Sequence, residues 1–372
     1  MKRGASVGDN VGLQSTRSLP MNNLMRHNSG DAITWLIGFG GIVFLAACVI
    51  SFVLLLVLKP LLGRYALARP NARSSHKIPT PQGGGIAVVA ASAIVIAATA
   101  IFYPTLINES WRLAVVFVSV IALAVVGVSD DIRPMEAPPR LLLQAVAVAL
   151  VVVVLPQDLR VLAALPWWVE RSLLFIGILW FVNLVNFMDG LDWITVAEVV
   201  PVSASLTLFG LSGALPVDAT LTAFALCGAM IGFAPFNRPV AQLFLGDVGS
   251  LPIGLILGWL LALLAGHGYL AAAILLPLYY LADATITLLR RLMKGDPVMQ
   301  AHRSHYYQRA LDNGFSVSQI VGRVFVLNII LTGLAATTIM NNAPIFDLAI
   351  LAAGCVLVGG LLWTFNCPYV KR

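Results

Sequence analysis

Two aspartates, Asp189 and Asp192, stand three residues apart in the segment NFMDGLDWITVAE, directly after the apolar run SLLFIGILWFVNLV. Only 11% of the residues are charged, so two acids at the end of an apolar run require an explanation. Carboxylates at membrane depth are costly and usually face a cavity, a partner or an ion. Three-residue spacing puts both acids on one helix face, whereas an Asp-Gly turn needs only one. The pair alone is consistent with either a turn or a site.

Three more aspartates lie in short glycine-containing segments. Asp130 and Asp131 belong to GVSDDIRP and Asp247 to FLGDVGS. Each has a simpler reading, as a helix cap with a solvated charge or as a turn residue. Carboxylates brought together from separate helix ends, however, are the hard oxygen ligands that Mg²⁺ requires, and nearby glycines let the chain bend toward a shared point. Together these segments predict a Mg²⁺ site for a phosphorylated substrate. Asp283, in YYLADATITLL, lies deeper, and Arg290 would be a sufficient partner for it.

Two basic loops supply the complementary charge. The first, RSSHKIPTPQGGG, is not a Walker loop, because no Gly-Lys-Ser/Thr follows its glycines; His76 and Lys77 are either membrane anchors or phosphate ligands. The second contains the string HRSHYYQR, in which His302, Arg303 and His305 suit a diphosphate beside carboxylates. A zinc site is not supported, since no cysteine or further histidine lies nearby.

The elements that must position these residues are membrane helices. Of 372 residues, 59% are hydrophobic, and the mean hydropathy is +0.90, far above soluble domains. Long Leu/Val/Ala runs without period-two alternation predict an all-α polytopic membrane bundle rather than an outer-membrane barrel. About eleven spans are predicted, at 33–58, 83–103, 111–129, 141–155, 172–188, 193–212, 219–235, 250–267, 269–289, 322–340 and 344–365.

Basic residues predict the orientation of the bundle. When the connections are assigned alternately to two sides, sixteen of the 23 Lys and Arg residues fall on one side, which is cytosolic by the positive-inside bias. The N-terminus is then outside and the C-terminus cytosolic, with a disordered polar tail at 1–32, a single membrane-embedded domain at 33–366 and a cytosolic tail at 367–372. The net charge of +6 reflects topology and anionic ligands, and nothing indicates nucleic acid.

Five motifs in order carry a family resemblance. The set RSSHKIPTPQGGGIA, GVSDDIRP, NLVNFMDGLDW, FNRPVAQLFLGDVGS and HRSHYYQRAL resembles the polyprenyl-phosphate N-acetylhexosamine-1-phosphate transferases, glycosyltransferase family 4, over about residues 35–365. The resemblance implies a multi-pass enzyme of the bacterial inner membrane with a cytosolic active site. It would transfer a sugar 1-phosphate from a UDP-N-acetylhexosamine to undecaprenyl phosphate among membrane lipids, release UMP and require Mg²⁺, with Mn²⁺ as a substitute and a homodimer as one assembly.

The resemblance also implies residue roles. Asp130 and Asp131 match the acidic pair placed near the lipid phosphate, and Asp247, with Asn186, matches the magnesium-binding positions. The other implied roles are catalysis for Asp189, contact with the nucleotide sugar for Asn186, Asp192, Asn237, His302, Arg303 and His305, and contact with the lipid phosphate for His76, Lys77 and Arg140.

Departures from the peptidoglycan branch bear on the choice of sugar. Phospho-MurNAc-pentapeptide translocases carry three consecutive aspartates and a three-histidine cluster, where this chain has Ser129-Asp130-Asp131 and His302-Arg303-Ser304-His305. The chain therefore looks more like the branch that initiates O-antigen, capsule or exopolysaccharide chains. Trp193 stands directly after Asp192, where the family more usually has glycine, so the identity of the donor sugar stays open. The alternative class is a cation- or proton-coupled transporter, which predicts acids near mid-bilayer and matched broken helices.

Overall fold

A computed structural model describes residues 29–68, 79–107, 109–297, 302–341 and 343–369. This part of the chain folds into thirteen α-helices, with one short antiparallel strand pair, β1 (Leu67–Ala68) and β2 (Thr80–Pro81). The helices are α1 (Ser29–Tyr65), α2 (Gly85–Phe102), α3 (Ser110–Ile132), α4 (Ala137–Val154), α5 (Trp167–Met188), α6 (Ile194–Leu211), α7 (Val217–Asn237), α8 (Asp247–Gly266), α9 (Leu270–Leu275), α10 (Leu278–Met293), α11 (Tyr306–Asp312), α12 (Val317–Asn341) and α13 (Pro344–Asn366).

Ten of these helices are long and apolar enough to cross a membrane. Helices satisfy all their backbone hydrogen bonds internally, which is why apolar runs of this length adopt them in lipid. The predicted all-α multi-pass bundle is confirmed, while the orientation of its termini stays a prediction. The tail predicted at 1–32 falls mostly on residues 1–28, outside the described residues, and α1 already begins at Ser29.

The predicted ninth span, 269–289, is not one continuous helix. It divides into α9 and α10 around Pro277. Proline has no N–H to donate, and its ring clashes with the carbonyl of the preceding turn, so the helix restarts after it. The described residues therefore contain ten continuous candidate spans where about eleven were predicted, and α10 enters the fold as a separate segment.

Helix α8 forms the centre of the bundle. Every residue from 248 to 265 is buried, and α8 packs against α2, α3 and α5. Two of these crossings depend on glycine: a Cβ on Gly85 would lie 2.1 Å from Cα of Gly249, and one on Gly127 would lie 2.4 Å from the backbone of Asp247. The absence of side chains allows the backbones to approach closely, as in other membrane helix pairs. The first residue of α8, Asp247, is thereby fixed among the ends of its neighbours.

The loop before α8 is hydrogen-bonded to the glycine-rich segment before α2. Phe244 N–H donates to the carbonyl of Pro81, and the amides of Gly84 and Gly85 donate to the carbonyls of Phe244 and Leu245, all at 2.8 Å. These bonds hold the two motif-bearing loops, PTPQGGG and FLGDVGS, side by side at one end of the bundle.

Candidate active site

A cavity of about 780 Å³ lies at this same end of the bundle. Its walls come from the ends of α3, α4, α5, α8 and α10 and from the segment leading into α11. Its polar lining consists of Asp130, Arg140, Asn183, Asn186, Asp247, His302, His305 and Gln308. Its apolar lining consists of Met135, Ala137, Leu141, Ile176, Leu179, Trp180, Phe187 and Leu288.

Two carboxylates and one arginine meet in the polar part of the cavity. Arg140 Nη1 lies 2.7 Å from Asp130 Oδ2 and 3.5 Å from Asp247 Oδ2. The carboxyl groups of Asp130 and Asp247 thus flank the same guanidinium nitrogen, and the backbone N–H of Met135 donates to Asp130 Oδ1 at 2.5 Å. Two carboxylates this close repel unless they share a proton or a cation. The cluster is therefore arranged to attract positive charge.

Asn186 supports this cluster from α5. Its amide Nδ2 donates to Asp247 Oδ1 at 2.7 Å and to Ser250 Oγ at 2.9 Å. Because the amide nitrogen is engaged by Asp247 and Ser250, the amide oxygen is left as a further oxygen donor beside the carboxylates.

Asp131 points to a different place from its neighbour. Its carboxylate accepts the backbone N–H groups of Asp247 at 3.1 Å and Val248 at 3.2 Å, so it caps the N-terminus of α8 from α3. A carboxylate is favoured there because the first amides of a helix are unpaired and carry partial positive charge. Gly246, with φ of 77°, passes directly beside it, and a Cβ there would lie 2.6 Å from Asp131 Oδ2. Asp131 does not line the cavity.

Asp189 and Asp192 do not share a helix face. The chain turns between α5 and α6, and the two carboxylates have separate partners: Asp189 accepts from the hydroxyl of Thr195, and Asp192 accepts from the backbone N–H of Ala241 at 2.9 Å. Burial raises the pKa of Asp189 to about 7; the Thr195 hydrogen bond opposes this rise, and the negative charge of Asp131 adds to it. Neither residue lines the cavity.

Asn237 and Trp193 hold the turn after Asp192. Asn237, 5% exposed, accepts from Trp193 N–H at 2.8 Å and donates to the carbonyl of Leu243 at 3.0 Å. Trp193 has a φ of 64°, in the left-handed region, and its indole N–H donates to the carbonyl of Ala234 at 2.6 Å. Asn237 thus braces the loop before α8, and contact of Asn237 with a nucleotide stays a prediction.

The histidine segment is fixed to α10 by Asp283. This buried carboxylate lies 3.3 Å from His305 Nδ1 and accepts the backbone N–H groups of Tyr306 at 2.9 Å and Tyr307 at 3.2 Å. The His302 and His305 rings stack with centroids 5.0 Å apart. Burial lowers the pKa of His302 to about 4; the neighbouring His305 and Arg291 add to this decrease, and Asp296 opposes it.

One expected pairing in this region differs from the prediction, and one expected contact stays untested. Arg290, suggested as the partner of Asp283, instead donates to the hydroxyl of Tyr306, so that pairing was wrong. Asp283 receives enough neutral donors to need no arginine. Arg303 pairs with Asp312 at 3.0 Å and does not line the cavity. Its contact with a sugar diphosphate stays a prediction.

Of the residues singled out from the sequence, six line the cavity: Asp130, Arg140, Asn186, Asp247, His302 and His305. His76 and Lys77 lie outside the described residues. Four supporting groups were not predicted from the sequence: Gln82, which donates to the carbonyl of Asp131 at 2.9 Å, Thr195, Gln308 and Tyr307, which donates to the carbonyl of Phe187 at 3.1 Å.

The lining residues of α5 could have been predicted from the sequence, because their spacing is helical. The residues that α5 contributes follow helical spacing and form one face: Ile176, Leu179, Trp180, Asn183, Asn186 and Phe187. Steps of three and four residues back along the helix from Asn186 reach Asn183, Trp180, Leu179 and Ile176, and Phe187 is the next residue after Asn186.

The donor set fits Mg²⁺. Among the described residues, no three His, Cys, Asp or Glu side chains form a metal-binding group. Mg²⁺ needs fewer, since it is usually held by one or two carboxylates, water and substrate phosphate. Asp130 and Asp247 beside Arg140 Nη1, with the amide oxygen of Asn186, are such a set of hard oxygen donors inside a cavity with room for phosphate.

Comparison with known proteins agrees with the motifs. Residues 113–265 match the model for glycosyl transferase family 4. The chain is 25% identical over 349 residues to the probable undecaprenyl-phosphate N-acetylglucosaminyl 1-phosphate transferase of Bacillus subtilis, which covers 87% of this chain and 94% of that protein. It is 24% identical to the decaprenyl-phosphate N-acetylglucosaminephosphotransferase of Mycobacterium leprae, over 80% of this chain and 81% of that protein. A phospho-N-acetylmuramoyl-pentapeptide-transferase of Leuconostoc citreum is 27% identical over 48% of this chain and 60% of its own length. The motifs, the helical bundle and these matches agree with one another, and they make the chain similar to the members of glycosyl transferase family 4.

Proposed function

We propose that this protein transfers an N-acetylhexosamine 1-phosphate from a UDP-sugar to undecaprenyl phosphate and releases UMP. The observation that carries this proposal is the contact of Arg140 with both Asp130 and Asp247 in a cavity that has polar and apolar lining residues. N-acetylglucosamine is the preferred sugar, because the relatives from Bacillus subtilis and Mycobacterium leprae are both named for its transfer and align over most of this chain.

The mixed lining of the cavity suits two different substrates. Its apolar side chains, among them Leu141, Ile176, Leu179 and Leu288, offer a surface for the first units of a polyprenyl chain. Arg140, His302 and His305 offer polar contacts to phosphate oxygens. A phosphorylated lipid can therefore enter with its chain against the apolar side chains and its phosphate beside the nucleotide sugar.

The chemistry requires positioning more than proton transfer. An oxygen of the lipid phosphate forms a bond to the β-phosphorus of the UDP-sugar, and the bond from that phosphorus to UMP breaks, with UMP taking the electron pair. The acceptor phosphate is largely ionised near pH 7, since the second pKa of a phosphate monoester is about 6. Orienting two anions against each other is then the main task, and Arg140, His302 and His305 are placed to do it.

Magnesium is part of the proposal. Asp247, Asp130 and Asn186 would hold it, and when bound it would supply neutralisation of the charge that develops on the leaving phosphate. Arg140 bridges the same two carboxylates, so it keeps them oriented and limits their repulsion.

The pathway and location are the finer parts of the proposal. The substitutions Ser129 and His302-Arg303-Ser304-His305 relative to the peptidoglycan branch favour initiation of an O-antigen, capsule or exopolysaccharide chain. The excess of Lys and Arg on one side of the bundle supports a cytosolic active site in the bacterial inner membrane.

The test is UMP release from purified protein incubated with undecaprenyl phosphate, Mg²⁺ and each UDP-N-acetylhexosamine in turn. We expect turnover with UDP-N-acetylglucosamine and loss of it in Asp247→Asn, which removes a charge with little change of shape. Asp218→Asn is a matched control, because Asp218 also lies in the first turn of a membrane helix, α7, but at the opposite end of the bundle. Absence of UMP release with every donor from folded wild-type protein would refute the proposed reaction.

A further inference from the structure

A second groove, of about 680 Å³, runs along the outside of the bundle between α12 and α13. It shares no lining residue with the active-site cavity. Its polar lining includes Ser318, Gln319 and Arg323, and its apolar lining includes Val326, Ile330 and Leu361. The polar and apolar groups are separated along the groove, which is a different arrangement from the uniformly apolar surface expected of a lipid-facing helix pair.

Among the residues that the structure describes, Arg323 lies in the groove without a counter-charge. Its guanidinium lies 4.6 Å from the ring centroid of Phe315 and 5.9 Å from that of Tyr369. Its Nη1 is buried and has no hydrogen-bond partner, and within the described part of the chain no carboxylate lies within ion-pair distance of it. A membrane-facing arginine usually extends its charged end into water. Arg323 instead presents a partly desolvated cation to the groove, and such a group is stabilised by an anion.

The groove-lining residues of α12 change from polar to apolar along the helix, as a lipid changes from headgroup to acyl chain. Gln319, Arg323, Val326 and Ile330 follow one another at intervals of three and four residues and so share one face of the helix. At 1.5 Å per residue, Arg323 lies about 9 Å from the start of α12, and Ile330 lies about 10 Å deeper. A headgroup region of roughly 5–8 Å lies on each side of the hydrocarbon core of a bilayer. Arg323 therefore lies toward one end of the span and Ile330 deeper in it, in the same order as the phosphate and the acyl chain of a lipid.

The polar end of the groove lies at the same membrane face as the active site. Asn313, one residue beyond α11, donates to the carbonyl of Phe365 at 2.8 Å and accepts the backbone N–H of Tyr369 at 2.8 Å. These bonds join the end of α13 to α11, whose first residues follow His305. The Lys and Arg count assigns this face to the cytosol, where anionic lipids attract basic residues.

We propose that this groove binds an anionic phospholipid. The phosphate of the lipid contacts Arg323, with Gln319 and Ser318 beside it, and one acyl chain lies along Val326, Ile330 and Leu361. The occupant is a bulk phospholipid rather than the acceptor substrate, because neither α12 nor α13 contributes a residue to the active-site cavity. The proposal rests on the membrane bundle alone and is independent of the proposed transfer reaction.

Photo-crosslinking tests the proposal directly. The full-length protein is reconstituted in vesicles of equal parts dioleoyl-phosphatidylglycerol and dioleoyl-phosphatidylcholine, with a trace of one or the other carrying a photoreactive acyl chain. Crosslinked peptides are mapped by mass spectrometry. One arginine near the membrane surface contributes about 1 kcal/mol toward an anionic lipid, which corresponds to roughly fivefold more labelling of α12 and α13 by phosphatidylglycerol than by phosphatidylcholine.

Three variants test whether the positive charge of Arg323 causes the preference for the anionic lipid. Arg323→Gln should abolish the fivefold preference, while Arg323→Lys should retain most of it. Arg64→Gln, at an exposed position at the end of α1, is the control for loss of an interfacial arginine and should leave labelling of α12 and α13 unchanged.

Gly322→Leu tests whether the lipid occupies the groove, because it fills the groove and leaves Arg323 unchanged. A Cβ on Gly322, which lines the groove, would meet no atom within 4 Å, so the larger side chain enters the groove without displacing the protein. Labelling of α12 and α13 by both lipids should fall. Equal labelling by the two lipids in the wild type, a preference that survives Arg323→Gln, or undiminished labelling in Gly322→Leu would overturn the proposal.

Discussion

His305 Nδ1 lies 3.3 Å from Oδ1 of Asp283, a fully buried carboxylate on α10. The same carboxylate accepts the backbone N–H groups of Tyr306 and Tyr307, so a single acid holds both the imidazole and the first turn of α11. The segment that brings His302 and His305 to the cavity is therefore fixed to the membrane-embedded part of the protein. If the hydrogen bond to Asp283 occupies His305 Nδ1–H, the ring is held in one tautomer, with Nε2 as its acceptor.

Asp283→Asn should weaken both stability and catalysis. An amide replaces one acceptor oxygen with a donor, which leaves a buried backbone N–H facing another N–H. The expected cost is about 1–3 kcal/mol of unfolding free energy, with UMP release reduced at least tenfold. Thermal unfolding in detergent and steady-state kinetics measure the two effects. Asp296→Asn, an exposed acid near the end of α10, is the control; wild-type behaviour of Asp283→Asn would contradict the anchoring role.

Arg140→Gln should strengthen the binding of Mg²⁺ and weaken the binding of undecaprenyl phosphate. Removing a positive charge 3.5 Å from Asp247 Oδ2 makes the carboxylate pair more negative. The Mg²⁺ concentration that gives half-maximal activity should fall by up to about fivefold, as expected for about 1 kcal/mol, while the KM for undecaprenyl phosphate rises. Titrations of Mg²⁺ and of lipid, compared with those of Arg133→Gln on the exposed neighbouring turn, test this. An unchanged metal response would show that Arg140 does not act on the pair.

Thr195→Val should lower turnover by removing the hydroxyl that donates to Asp189. A hydrogen bond to a charged group contributes about 1.5–3 kcal/mol, so a tenfold or greater loss of kcat/KM is expected if Asp189 acts in catalysis. Thr195→Ser keeps the hydroxyl and should retain most of the activity. Equal activity of the valine and serine variants would mean that Asp189 needs no support from Thr195.

His302 should make stability depend on pH between about 4 and 6.5. Burial lowers its pKa to about 4 in the folded protein, whereas the unfolded chain has the ordinary value of about 6.5. Between these values the unfolded state binds more protons, so the unfolding free energy rises as pH rises and is lost as pH falls. The Tm of the wild type should therefore increase across this window more steeply than that of His302→Gln. Parallel curves would exclude His302 as the source.

Glu198→Gln should be tolerated. Glu198 Oε2 accepts from Asn328 Nδ2 at 2.7 Å, but Glu198 Oε1 and Asn328 Oδ1 are both buried without a partner. A glutamine supplies an N–H that can pair with Asn328 Oδ1. Activity should be unchanged and the Tm equal or higher, whereas Glu198→Leu, which removes one of the two acceptors of Asn328 Nδ2 and leaves only the carbonyl of Ala197, should lower the Tm. Loss of activity in Glu198→Gln at wild-type Tm would point to a role in the reaction.

Hydropathy predicted most of the bundle, because the positions of long apolar runs are determined by the thickness of the membrane. It did not reveal the break at Pro277, since the surrounding residues remain apolar and a single proline changes mean hydropathy little. The meeting of Asp130 and Asp247 was predicted from acids at separate helix ends, and the structure places both carboxylates within 3.5 Å of Arg140 Nη1. The partners of Asp192 and Asn237 were not predictable, because they are backbone groups of irregular loops, which leave no pattern in the side chains.

The cap that Asp131 places on α8 has a mechanical consequence. Membrane helices tilt when the surrounding bilayer becomes thinner or thicker. Because one acid of the Asp130-Asp131 pair is bonded to the first amides of α8, helices α3 and α8 must tilt together at this end. The separation between Asp130 and Asp247 should then be insensitive to bilayer thickness, and the proposed reaction should keep its rate across lipids of different chain length.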